Sequence, residues 1–197
     1  ALCQNVTVQL NSSGIGSTTA AAINNGSNDA CGVANLSLNI TGFNCSDVRG
    51  DQPSDLFVSE YLEGSSNNKA LEIYNGTGAA VNLGTSGYAV RIYFNGGTSP
   101  TTFTLSGTVA AGDVFVFASN ASIPGILAQA DQTTGSGIWN GNDAIELVKG
   151  TTVLDVIGRI GQDPGNGGWT GGGNATTDRT LRRNANIGAG NTANATN

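Results

Sequence analysis

The stretch LFVSEYLEGSSNNKALEIYNGTGAAVNL, residues 56–83, decides how the rest of the chain is read. Leu56, Val58, Glu60 and Leu62 alternate against Phe57, Ser59 and Tyr61, and Leu71 and Ile73 alternate against Ala70, Glu72 and Tyr74. Period-two alternation bounded by Gly, Ser and Asn predicts two half-buried strands. The segment EGSSNNK, residues 63–69, supplies the turn between them. Glu60 and Glu72 are then expected to face one another across adjacent strands.

The same punctuation runs outward through the chain. Gly makes up 30 of the 197 residues, charged residues only 11%, and His and Met are absent. Short Val/Ile/Leu/Phe runs separated by small polar residues predict an all-β sandwich rather than helices. Downstream, Tyr88 to Phe94 alternates, Thr101 to Leu105 follows, and Val114 to Ala118 reads as a strand buried on both faces. Ser122 to Ala130 is the one helical turn, and Trp139 to Val148 with Thr152 to Ile157 reads as a hairpin around Lys149-Gly150. Upstream, Val6, Val8 and Leu10 share one face of a strand, Thr18 to Ile23 reads as a second, and Ala34 to Ile40 as a third.

Charge and composition narrow the function. A net charge of −6 and a single basic cluster (Arg179, Arg182, Arg183) argue against a nucleic-acid surface, and those arginines read as local salt-bridge partners. No apolar run reaches the roughly 18 residues of a membrane span. The absence of His removes the usual general base and every Ser-His or Cys-His nucleophile, so no catalytic residue is assigned and the chain reads as non-enzymatic. Glu60 and Glu72 could serve glycoside chemistry if one acid were raised in pKa, but structural hydrogen bonding suits them better. The hard oxygen donors Glu60, Glu63, Glu72 and Asp143 are of the type calcium takes, without the spacing of an EF-hand; no other cofactor is implied.

Cys31 and Cys45 flank one predicted strand and its return, and a bridge closing a loop of that size would stabilise by about 3 kcal/mol. Cys3 is left over, which points to a partner outside the chain or a free thiol, with a buried free cysteine as the plainer alternative. The start at Ala1, without a signal-type segment, reads as a processed chain or a piece of a longer one. N-x-S/T sequons recur from Asn5 to Asn194, and with the cysteines they favour an extracellular, secreted or cell-surface location. Trp139, Trp169, Tyr61 and Tyr93 are candidate glycan-stacking aromatics, although core packing suits them better.

Two resemblances organise the chain. CQNVTVQL, INNGSNDACGVANLSL and GFNCSDVRG, within residues 1–50, resemble the first part of a hyalin-repeat (HYR-like) immunoglobulin-type module of bacterial surface proteins of Bacteroidota. That resemblance implies pairing of Cys31 with Cys45, and pairing of Cys3 with a cysteine on a late strand that this chain does not supply. After a polar linker at residues 51–55, residues 56–197 resemble the bacterial lamin-tail domain. The matching elements are LFVSEYLEGSSNNKALEIYNGTG, VNLGTSGYAVRIYFNGG, AAGDVFVFAS, WNGNDAIELVKG, VLDVIGRIG and a closing TLRR. Asn142 departs from the pattern, standing where an acid is frequent.

The expected architecture is thus all-β: an immunoglobulin-like β-sandwich of lamin-tail type behind a partial Ig-like unit. The expected function is an extracellular structural protein of a bacterial surface or matrix. In its sharper form, copies assemble head to tail into a filament by strand complementation, with Val6, Val8 and Leu10 on the donor strand. The alternatives are an accessory or adhesion module of a larger secreted protein such as a nuclease, and a carbohydrate-binding module with glycans as partners.

Overall fold

The computed structural model of the chain describes residues 2–28, 30–33, 35–44, 47, 53–135 and 137–193. The chain divides into two compact units, Ala1–Asp51 and Gln52–Asn197. In the first, two short strands, β1 (Ile15–Ser17) and β2 (Gly42–Asn44), pair antiparallel. Thr18 to Ile23 does not form the expected strand. It holds a helical turn, α1 (Ala20–Ile23), because the Thr19 hydroxyl caps the Ala22 N–H and three consecutive alanines favour helix. Residues 35–40 alternate in sequence but join no ladder, and Ala34 lies outside the described residues. Val6 to Leu10 joins no ladder either. Val8 and Leu10 are half-buried against Gly16, where an added Cβ would come within 2.8 Å of Val8 and 3.0 Å of Leu10. Alternation defines a face, but a strand also needs a partner edge and a core to cover, and no described residue of this unit is buried.

The second unit holds the hydrophobic core. Strands β3 (Phe57–Glu63) and β4 (Lys69–Tyr74) form the expected hairpin. After β5 (Val81–Asn82), the turn α2 (Leu83–Ser86) is capped by Asn82 and closed by Gly87 in the left-handed region at φ 75°. There follow β6 (Tyr88–Tyr93), β7 (Thr101–Thr104), β8 (Thr108–Val109), β9 (Val114–Ser119), α3 (Pro124–Leu127) and β10 (Gln132–Thr134). The chain continues through β11 (Ala144–Lys149), β12 (Thr152–Ile157), the small hairpin β13 (Thr170–Gly171) and β14 (Asn174–Ala175), and β15 (Arg179–Arg182).

Two sheets enclose the core. One runs β10-β9-β4-β3-β15 and the other β12-β11-β6-β7, antiparallel throughout except for the parallel β9–β10 pair. Pairing places Leu71 opposite Phe117 and Ile73 opposite Phe115 in the first sheet, and Ile145 opposite Ile92 and Leu147 opposite Val90 in the second. All eight are buried in one cluster with Trp139. This is an all-β, immunoglobulin-like sandwich.

Three local departures from simple alternation set which side chains reach the core. A bulge at Ser59 shifts the register, so Val58 faces Ile73 and Tyr61 faces Leu71, and both enter the core although three positions apart. The Ser59 hydroxyl donates to the Glu72 carboxylate at 2.7 Å, fixing the bulge. Second, β9 buries Phe115 and Phe117 but leaves Val114 and Val116 half-buried, so its outer face is only partly covered. Third, β11 begins at Ala144, while Trp139 packs into the core from a loop with its indole N–H donating to the Leu62 carbonyl at 3.3 Å. Composition also placed Pro53 and Asp55 in the linker. Pro53 is buried, and Asp55 is bonded to Tyr88 and Lys149 of the second unit.

Candidate functional site

Glu60 and Glu72 stand directly opposite one another on the outer face of the five-stranded sheet. Each already has a partner: the Arg182 guanidinium lies 2.6 Å from the Glu60 carboxylate, and Ser59 donates to Glu72. Arg182 is largely exposed, so its ion pair contributes little stability. Beside the two acids a shallow depression is floored by Leu62, Ala70 and Val116 and bordered by Ile126 of α3. Neither acid is enclosed: both are only half-buried.

Glu63, at the end of β3, belongs to the inner face. It is buried together with Lys69, its cross-strand partner, and the two form a salt bridge. The second Glu63 oxygen accepts the Asp178 N–H, and the Lys69 ammonium also donates to the Gly64 carbonyl. The pair therefore locks the turn of residues 64–68, where Ser66 takes a positive φ of 59°, against the start of β15. A polar recess opens above it, lined by Ser66, Asn67, Asn140 and Asp178.

One heavily used buried group is absent from the sequence candidates. Asp155 on β12 is fully buried and joins the two sheets. One of its oxygens accepts the Val58 N–H of β3 at 2.9 Å; the other accepts the Asn191 N–H at 2.9 Å and the Val156 N–H at 3.0 Å. The Arg183 guanidinium meets both oxygens at 2.5 and 2.6 Å, donates to the Val58 carbonyl at 2.6 Å and lies over the Phe57 ring. Burial pushes the Asp155 carboxyl up from its ordinary range, against the opposing pull of Arg183 and the backbone N–H donors. At Gly190 an added Cβ would lie 2.2 Å from the Leu154 carbonyl, so only glycine lets the C-terminal segment approach this hub. Of the three clustered arginines, Arg182 and Arg183 are thus the expected salt-bridge partners, whereas Arg179 donates to the Asp178 carbonyl at 3.0 Å.

Three tyrosines are held by buried or charged neighbours. Burial and a hydrogen bond to Asp55 push Tyr88 up to about 12, and burial and a bond to Glu146 do the same for Tyr93. Burial, aided by the charges of Glu63 and Asp143, raises Tyr61 further still. A tyrosine whose folded pKa exceeds its unfolded value keeps its proton while the unfolded chain loses it. Its contribution is therefore complete below the ordinary value of 10.0 and is lost as pH rises toward 12. Chemical-denaturant melts are expected to show stability falling between those limits, checked against the same melts at neutral pH.

The other sequence candidates fall in separate places. Asp143 is buried and accepts the Asn95 and Asn140 N–H groups, each at 2.8 Å, holding two loops together. Of the four acids considered for calcium, only Glu60 and Glu72 are brought face to face, and no group of three or more carboxylate or thiol side chains suited to a metal occurs among the described residues. Trp139, Tyr61 and Tyr93 are buried and serve packing, which leaves Trp169 as the half-exposed member of that set. Asn75 opens a sequon, yet it is fully buried and its amide donates to the carbonyls of Ala79, Val109 and Ala110. Cys3 is exposed and bridges to Asn24 through the backbone, Cys31 is exposed, and Cys45 lies outside the described residues. Among the described residues no helix is long and apolar enough to cross a membrane.

Two sheets around one core, joined by buried polar ties, define an immunoglobulin-like module, a fold compatible with a structural or binding role. More narrowly, the Lamin Tail Domain family matches residues 50–161, more than half of the chain, and the chain belongs to that family. The lamin-tail fold is in general non-catalytic. No curated protein and no solved structure matches the chain.

Proposed function

We propose that the chain is a non-enzymatic extracellular structural protein of a bacterial surface or matrix, whose copies assemble head to tail by β-strand complementation. The observation that carries this reading is the state of the first unit. Its described residues bury nothing, and six of the eight exposed large hydrophobics of the described chain lie there: Leu2, Val6, Ile15, Val33, Leu36 and Ile40. A unit with apolar residues, one short two-stranded sheet and no core among its described residues has reason to borrow a strand from elsewhere. Val6 to Leu10 is the donor candidate, alternating in sequence and joined to no ladder in its own chain. A head-to-tail contact of this kind propagates as an open fibre rather than closing into a ring.

The HYR-like resemblance supports the same reading, since it implies an immunoglobulin-type unit short of strands. A Cys31–Cys45 bridge and a Cys3 bond to a neighbouring copy belong to this proposal and suit an oxidising location. A second reading, an accessory module of a larger secreted protein, is favoured by the second unit's self-contained core.

Light scattering tests the assembly directly. The wild-type chain is expected to grow in mass with concentration, and a variant carrying Val6→Asp, Val8→Asp and Leu10→Asp to remain a monomer. A wild-type chain that stays monodisperse and monomeric would overturn the proposal.

A further inference from the structure

We infer that Trp169 and the β13–β14 hairpin form a binding site for a neutral carbohydrate. The two tryptophans are used in opposite ways. Trp139 is 1% exposed and its indole N–H is bonded. Trp169 is half-buried, and no hydrogen bond to its indole N–H is found among the described residues. Because no buried side-chain nitrogen or oxygen among them lacks a partner, that N–H is open to solvent.

The ring is also held in place. At Gly158, where φ is +77°, an added Cβ would lie 2.6 to 2.9 Å from three atoms of the indole six-membered ring, so the indole packs directly on main chain. The Trp169 N–H donates to the Thr176 hydroxyl at 2.9 Å, and the Thr176 N–H donates to the Trp169 carbonyl at 3.1 Å. The hairpin pairs Thr170 with Ala175 and Gly171 with Asn174, fixing the strand next to the indole.

The result is an open groove of about 200 Å³, lined by Trp169, Thr170, Asn174, Ala175 and Leu181, with no charged side chain among its walls. In a chain of net charge −6, an uncharged groove does not select ions or charged peptides. Its walls bring the Trp169 ring together with the Thr170 hydroxyl and the Asn174 amide. That combination fits a pyranose, whose C–H face is apolar and whose rim is hydroxyl, and aromatic side chains with a polar edge suit such half-wet contacts. The site does not depend on strand complementation, because its walls all come from the second unit.

The test uses the full chain in native gels containing soluble neutral polysaccharides (a β-glucan, a xylan and a mannan), with tryptophan fluorescence as a second readout. Retardation by at least one neutral polysaccharide is expected, with a blue-shifted emission. Affinity is expected to fall about ten-fold or more in Trp169→Ala and measurably in Asn174→Ala. Asn174 is exposed, so that variant keeps the test valid should Trp169→Ala fail to fold. Four results would overturn the inference: no retardation of the wild-type chain in any of the three, undiminished retardation of folded Trp169→Ala, undiminished retardation of Asn174→Ala where Trp169→Ala does not fold, or a Trp169→Ala effect on oligomer mass alone, which would give the groove to a second copy.

Discussion

Asp155→Asn is expected to destabilise the second unit by about 3–5 kcal/mol, the cost of breaking a buried ion pair from one side. Asparagine preserves shape but removes the charge that Arg183 is placed to meet, and one of its two heads becomes a donor facing other donors. Val58, Asn191 and Arg183 all donate into this carboxylate, so the amide nitrogen must clash with at least one of them. The damage should extend beyond the site. Asp155 ties β12 to β3 and holds the segment around Asn191, whose carbonyl also accepts the Val156 N–H. Thermal melts should show a fall of about 10 °C, and hydrogen exchange should show the C-terminal segment loosened first. Unchanged stability in Asp155→Asn would mean that the two sheets are held by apolar packing alone.

Glu63→Ala is expected to cost a similar amount, about 3–5 kcal/mol. The Lys69 ammonium would be left without its carboxylate in a position only 9% exposed, and the Asp178 N–H would lose its acceptor. Lys69→Met should cost less, since Glu63 keeps the Asp178 bond. The double variant Glu63→Met with Lys69→Met should recover much of the loss, because two apolar side chains of similar volume often replace a buried ion pair at little cost. Urea melts of the wild type, Glu63→Met, Lys69→Met and the double variant form a double-mutant cycle. Strictly additive losses would show that the two side chains act independently, against the coupling their contact requires.

The sheet framework was legible because its signal is local. The alternation in residues 56–63 and 69–74 needs no distant partner to be read, and the β3–β4 and β11–β12 hairpins follow from such local patterns. The bulge at Ser59 was not legible, since a one-residue slip leaves the residue types unchanged while moving Tyr61 to the face of Val58. Asp155 was hidden for a different reason. Inside VLDVIG it reads as an outward polar residue, and its burial is decided by Val58 and Arg183, 97 and 28 positions away. A signal did exist in an acid set among apolar neighbours with an arginine pair downstream. In the first unit the alternation was as clear as in the second, yet residues 35–40 joined no ladder. Pattern alone does not make a strand where there is no core to bury it.

That contrast between the units is what the assembly proposal rests on, and electron microscopy of the purified chain tests it most directly. Fibres are the expected result, with Val6 to Leu10 of each subunit laddered into the first unit of its neighbour. Dispersed single particles, with that segment paired inside its own first unit, would contradict it.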